Sequence, residues 1–395
     1  MLFDFFGLTL HRTIPTLYIM DFAKFDDIRP YNDSEVHPAL ERIVANPNFS
    51  GVAQYIFPGQ DENLFKELLL SCYTKDDFQV KVMSQIVDRI LKGTAKEVTF
   101  EGLEHFEGGQ RHLIVSNHRD IVLDPAIIQL ILYKHGVATT EIAVGDNLIT
   151  SSFIEDITRS NKMIKVIRSS NPREVYTTSK VLSEYIRYNV ANQISSVWIA
   201  QRNGRTKDGL DITEQGLLKM FDMSGSGDFI KDFTELSILP TSISYEYEPC
   251  DIYKAVEMYI SRRQKYVKAE GEDLKSILTG IMQFKGNIHI SFNEPITAQE
   301  IESASVLDKN ERFKALGLAM DRKIISAYKL WKNNYIAYDI LNSANEYASM
   351  YSVEEKEAFR TYMENKLVDV DADKAELEHI FLSIYANPVV SWRNL

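Results

Sequence analysis

Residues 112–136 read HLIVSNHRDIVLDPAIIQLILYKHG, and the order of residue types across them decides the architecture. The apolar run HLIVS (112–116) is short and β-like, and from Asp124-Pro125 onward apolar residues recur three and four apart, as in a helix. A strand that feeds a helix through a short loop is the first half of a βαβ unit. The loop carries Asn117, His118, Arg119 and Asp120, at the carboxyl end of a strand, where function concentrates in such folds. A histidine followed closely by carboxylates has the composition of a general base with its orienting partner. The same residues also have a bland account. Asp124 before Pro125 is a good helix N-cap, and Arg119 with Asp120 reads as a surface ion pair of little energetic weight.

Working outward, the strand-helix rhythm continues. Further strands are expected at EIAVG (141–145), MIKVIR (163–168), SVWIAQ (196–201), SILPTSISYE (237–246) and NIHISF (287–292), with helical spacing between several of them. This predicts an α/β fold with a mostly parallel mixed sheet flanked by helices. Before it, EVHPALERIVA, ENLFKELLLSC and FQVKVMSQIVDRILKG have helical periodicity, and after it the pattern turns helical again. The expected organisation is a helical N-terminal region (1–95), an α/β domain (96–300) and a helical C-terminal cap (301–395).

The chain has 395 residues, 45% of them hydrophobic and 25% charged, which is the composition of an ordinary globular protein. Its net charge of -12 argues against nucleic acid as a partner. Cys72 and Cys250 share no metal or redox spacing and read as reduced thiols of a cytoplasmic protein. No apolar run approaches the roughly 18 residues that span a bilayer. The first 20 residues read as a segment docked on the core, with shallow membrane contact through Phe3, Phe5, Phe6 and Leu8 as the alternative. Charge is unevenly spread: residues 157–207 hold ten Lys and Arg against only Glu174 and Glu184. Such an island in an acidic chain points to an anionic ligand or an anionic lipid surface.

There is no GxGxxG after a strand, no GxxxxGK[ST] and no HExxH, and the eight histidines have no zinc spacing, so no metal is expected. Tyr245-Glu246-Tyr247-Glu248 continues a strand, and its alternation reads as structure rather than as a site. What remains is a series of blocks. Asn117-His118 with Asp124-Pro125 comes first, then Lys165-Val166-Ile167-Arg168 and Ile199-Ala200-Gln201-Arg202-Asn203-Gly204-Arg205. Leu239-Pro240-Thr241-Ser242 follows, and the strand ending Asn293-Glu294-Pro295 closes the series. In this order they resemble the motif blocks of the glycerophospholipid acyltransferase family, over roughly 96–300.

The resemblance implies acyl transfer from acyl-carrier protein or acyl-CoA to a hydroxyl of glycerol-3-phosphate or lysophosphatidic acid, in phospholipid synthesis, with no cofactor beyond the acyl thioester. His118 would be the general base, Asp124 its orienting acid and Asp120 the second choice for that role. Asn117, Arg168, Asn203, Gly204 and Arg205 would bind substrate: the arginines through phosphate, Gly204 by letting backbone come close. The implied location is cytoplasmic, peripheral at the inner face of a membrane. Two departures stand out. Five residues separate His118 from Asp124 where the family usually has four, and Asn203 stands where it usually has glutamate. On that ground Asn203→Glu is expected to raise transfer to a phosphate-bearing acceptor. Transfer to an amine or aminolipid, or a catalytically silent lipid-binding relative, stays open beside the main reading.

Overall fold

The computed structural model describes residues 22–395 apart from Phe57, Pro58 and Gln60, so the expectation for Phe3, Phe5, Phe6 and Leu8 lies outside the described residues. Seven strands form one sheet: β1 (Ala95–Glu101), β2 (Leu113–Ser116), β3 (Glu141–Gly145), β4 (Met163–Val166), β5 (Val197–Ala200), β6 (Ile238–Tyr245) and β7 (Gly286–Phe292). Their spatial order is β1-β7-β6-β2-β5-β3-β4, and every neighbouring pair is parallel except β6 with β7. This is the mostly parallel mixed sheet that the strand-helix rhythm predicts. Each expected strand is present, and β1 is an addition. Its sequence AKEVTFE has only Val98 and Phe100 as large apolar residues, too few to register as a strand against Lys96, Glu97 and Glu101.

The sheet is buried on both faces, which is why its central strands are apolar without a break. Successive side chains point to opposite faces. Leu113, Val115, Val197 and Ile199 pack into one core with Phe221, Phe233 and Leu316. Ile114, Trp198 and Leu239 pack into another with the helix Leu123–Lys134. That helix is apolar nearly all round, as a helix enclosed by sheet and neighbours must be.

Strand β2 lies between β6 and β5, near the middle of the sheet. From β2 the chain passes beyond β5 to reach β3, and from β5 it crosses to β6 on the other side. The carboxyl end of β2 is therefore a switch point, the usual place for a ligand crevice. Helices within residues 33–94 stand on one side of that end, including a π-helical turn at Phe78–Met83. Helices at 251–261 and 272–282 and the helical stretch after residue 298 complete the surround. No described helix is long and apolar enough to cross a membrane.

Candidate active site

The loop after β2 turns back on itself because one carboxylate gathers its donors. Asp124 Oδ2 accepts from His118 Nδ1 at 2.8 Å and from the backbone N–H groups of Arg119 at 2.6 Å and Asp120 at 2.9 Å. Its other oxygen, Oδ1, accepts the Tyr245 hydroxyl at 2.7 Å. Burial opposes the charge on Asp124, but the His118 hydrogen bond and the other donors outweigh it and hold the carboxyl below its ordinary value. Against an ionised carboxylate, Nδ1 of His118 carries the proton and Nε2 is the basic nitrogen. The imidazole stands edge-on to Trp198, with ring centroids 5.8 Å apart.

Asp124 is not the helix cap. The helix begins at Leu123, and it is Asp120 whose Oδ1 accepts the N–H groups of Val122 at 2.9 Å and Leu123 at 2.7 Å. Five intervening residues fit because Arg119 to Val122 form a compact turn pinned at both ends. Asp120 Oδ2 has no hydrogen-bond partner among the described residues, and burial together with the Asp124 charge pushes its carboxyl above the ordinary value. A Cβ on Gly280 would come within 2.1 Å of that oxygen, so the helix Glu272–Met282 rests on Asp120 through a glycine.

Arg119 corrects the surface-pair reading. It is fully buried, bonds Asp211 at 2.6 Å and Glu248 at 3.3 Å, and its carbonyl accepts from Lys254 Nζ at 2.7 Å. Such a network costs desolvation to build and about 3–5 kcal/mol to break at one member. Asn117 is also enclosed. Its amide donates to Asp211 at 3.0 Å and to the Ile243 carbonyl at 2.9 Å and accepts from the Ile243 N–H at 2.7 Å. These bonds stitch the β2 loop to β6, so the side chain expected to bind substrate is buried with its amide engaged.

His118 opens into a cavity of about 1370 Å³, well above the roughly 300–1,000 Å³ of a drug-sized site. Part of its lining is basic, including Arg168, Arg202 and Arg205 beside Arg89, Lys207 and Lys268. Carboxylates also line it, Asp208, Glu214, Glu257 and Asp273, and much of the remainder is apolar and comes from the sheet and from the helices of 33–94, among them Phe49, Phe65, Phe78 and Val82. The basic island is less free than its composition suggests. Arg159, Lys162, Lys165, Arg187 and Lys207 are each within ion-pair reach of a carboxylate. Arg168, Arg202 and Arg205 form no ion pair within 4.0 Å among the described residues, although Arg205 lies near enough to Asp273 to lower its carboxyl.

Residues 201–214 carry most of that basic wall. The loop is tied down where Thr206 N–H donates to the His118 carbonyl at 2.7 Å and Glu214 N–H to the Gln201 carbonyl at 3.0 Å. Thr213 donates its N–H at 2.8 Å and its hydroxyl at 2.6 Å to Asp321. Asn203 lines the cavity, and its N–H donates to Glu214 Oε2 at 3.2 Å. Gly204 has φ +76, a left-handed backbone that favours glycine, and a Cβ there would meet no atom of the described residues within 4 Å. Arg168 packs on Gly145, where a Cβ would come within 2.7 Å of the guanidinium Nε.

Sequence reasoning missed Tyr245, Glu248, Arg202 and Glu214. The first two stand in the alternating run read as strand structure alone. A strand whose inward residue is tyrosine, paired to the histidine-bearing β2, was the available signal. Among the described residues no group of three or more His, Cys, Asp or Glu is placed to hold a metal ion.

The His118–Asp124 pair thus stands on the wall of a cavity whose lining is part charged and part apolar. Residues 97–243 match the family model described as Acyltransferase. The crystal structure of the 1-acyl-sn-glycerophosphate (LPA) acyltransferase PlsC from Thermotoga maritima is similar over 73% of this chain and 93% of that one. Identity there is 13% and the TM-score 0.39, a distant likeness. No curated protein matches the chain. The match places an acyltransferase domain over residues 97–243, the stretch that holds the first four of the motif blocks.

Proposed function

We propose that the enzyme moves a fatty acyl group from acyl-carrier protein or acyl-CoA to a hydroxyl of glycerol-3-phosphate or lysophosphatidic acid, with His118 as general base. The observation that carries this reading is the 2.8 Å His118–Asp124 hydrogen bond on the wall of a cavity that offers arginines and an apolar lining together. Nε2 of His118 takes the proton from the acceptor hydroxyl as its oxygen attacks the thioester carbonyl carbon. The tetrahedral intermediate collapses, the C–S bond breaks, and the thiolate leaves with the proton returned by the imidazolium. Asp124 keeps the imidazole in the right tautomer and stabilises its cationic form. Base assistance of this kind contributes about 10²–10⁴-fold.

Arg168, Arg202 and Arg205 supply planar donors for an acceptor phosphate, and the apolar lining suits an acyl chain. A phosphate-bearing, chain-bearing substrate is a membrane resident, so the reading includes contact with an anionic cytoplasmic membrane face. Flotation with anionic vesicles at low and high salt tests that part, and no binding at either salt refutes it.

The central test is transfer of labelled acyl groups from both donors to a panel of glycerol-3-phosphate, lysophosphatidic acid and amine acceptors, with His118→Ala in parallel. Turnover on a phosphate-bearing acceptor that collapses in the variant supports the reading. Turnover confined to an amine acceptor replaces the acceptor, and turnover untouched by His118→Ala removes the base.

A further inference from the structure

We propose that Tyr245 is a positioning residue of this site: its hydroxyl holds the second oxygen of Asp124 and thereby sets how strongly that carboxylate acts on His118. The inference rests on the general-base reading of His118 and adds a residue that neither the motif blocks nor the family match assigns to the site.

The four donors to Asp124 are unevenly divided. Oδ2 takes three N–H groups, all from residues 118–120, whereas Oδ1 has Tyr245 alone, at 2.7 Å. The three N–H donors lie on one short loop and move with it. Tyr245 is the last residue of β6, a strand paired on one side with β2 and on the other with β7. It is the donor that references Asp124 to the sheet instead of to the loop. Its ring is 1% exposed and belongs to the core that holds Ile127, Leu239 and Ile288, so the hydroxyl is delivered by a side chain with no room to turn away.

Its protonation is secure. Burial, and then the charges of Asp124 and Asp120, raise the Tyr245 hydroxyl well above its ordinary value, and it remains a donor throughout the working range of an enzyme. The titratable and charged neighbours that could compete are Asp120 beside Asp124, Glu248 and Tyr328 from the far side, and Arg205 and Lys285 facing Asp120. None of these makes a hydrogen bond to Asp124 Oδ1, which leaves Tyr245 as the control on that oxygen among the described residues.

The consequence has a definite sign. A hydroxyl donated to Oδ1 withdraws charge from the carboxylate. Without it, more negative charge faces His118, the imidazolium is better stabilised, and the unprotonated base is reached only at higher pH. Asp124 is also held on one side only, so the imidazole is less sharply aimed.

The test is Tyr245→Phe in the full-length protein, which keeps the ring and removes the hydroxyl. The acid limb of kcat/KM against pH is expected to move upward by about half a pH unit. Turnover on the acid side falls about 3–10-fold, less on the alkaline side, and the KM of either substrate stays within about twofold. Placing 3-fluorotyrosine at position 245, with a more acidic hydroxyl, should move the limb the other way. The pH dependence of carbethoxylation of His118 reports the same coupling without turnover, and it should shift with both replacements in the same directions. An unmoved profile in either replacement, or a fall equal at every pH, overturns the proposal and leaves Tyr245 as core packing. If His118→Ala retains full activity, the general-base reading fails, and the carbethoxylation profiles still decide whether Tyr245 governs the pair.

Discussion

The backbone N–H of Asn203 donates to Glu214 Oε2 at 3.2 Å, and both residues line the cavity that holds His118. A carboxylate therefore stands beside the position where the family pattern carries glutamate, supplied from eleven residues further along the chain. This reverses the expectation for Asn203→Glu. The new side chain would meet Glu214, and two like charges a few ångströms apart repel by about 1 kcal/mol or more in a solvated site. Asn203→Glu is expected to lower kcat/KM for a phosphate-bearing acceptor about 3–10-fold, with recovery on adding Glu214→Gln. A gain from Asn203→Glu alone would mean that Glu214 is not filling the role.

The cavity arginines should divide from their neighbours by function. Arg205→Ala removes a charge-assisted donor, which is worth about 1.5–3 kcal/mol, and the acceptor KM should rise by about 10–100-fold with a smaller change in kcat. Arg173 belongs to the same basic stretch but is exposed and does not line the cavity, and Arg173→Ala should stay within about twofold of wild type. Equal losses from both would return the effect to long-range charge. Initial-rate kinetics at two salt concentrations separates these outcomes.

Asp321 anchors the loop that carries Arg205 and is raised by burial, with the Asp211 charge adding to it, to about 6. The direction of its stability effect follows from proton counting. Between the ordinary carboxyl range near 4 and about 6, the folded state binds more protons than the unfolded one, so stability falls as pH rises through that window. Asp321→Asn keeps an acceptor for both Thr213 donors and removes the titration. It should stabilise the protein by about 1–3 kcal/mol above pH 7 and by little at pH 4. Denaturant midpoints at the two pH values check this, and a difference of the same size at both would show that Asp321 does not titrate in the folded state.

How far the sequence could be read follows from where each signal lives. Strand positions were legible because central parallel strands must be apolar on both faces, as β2 and β5 are. β1, with Lys96 and Glu97 in its first half, was not. His118, Arg168 and Arg205 were visible as residue types in order. The division of labour between Asp120 and Asp124 was not, because it depends on where a helix starts, to within a residue. Arg119 and Asn117 looked like loop polarity, and only their tertiary partners Asp211, Glu248 and Ile243 show them buried. The apolar half of the cavity was invisible for a different reason. Phe49, Phe65 and Phe78 have the spacing of ordinary core residues, and nothing local to those helices says that one side of the core is open.

That half of the cavity yields the last prediction. Phe49 and Phe65 stack with centroids 5.7 Å apart and planes within 2°, and both line the cavity. They come from helices at 49–56 and 62–70, outside the segment matched by the acyltransferase family. If the acyl chain of the donor occupies the apolar lining, the bulk of Phe65 limits the length that fits. Pocket discrimination of one methylene is worth about 1–3 kcal/mol, or 10–200-fold. Phe65→Leu should therefore raise the ratio of long-chain to short-chain kcat/KM about tenfold, and Phe65→Trp should lower it. Phe65→Ala is a poorer probe, since truncating a buried phenylalanine costs about 3–5 kcal/mol of stability. The measurement is kcat/KM across a donor series of increasing chain length, with the melting temperature of each variant alongside. Parallel losses at every length would place Phe65 in the scaffold, whereas opposite shifts for Leu and Trp would make the N-terminal helices the wall that measures the chain.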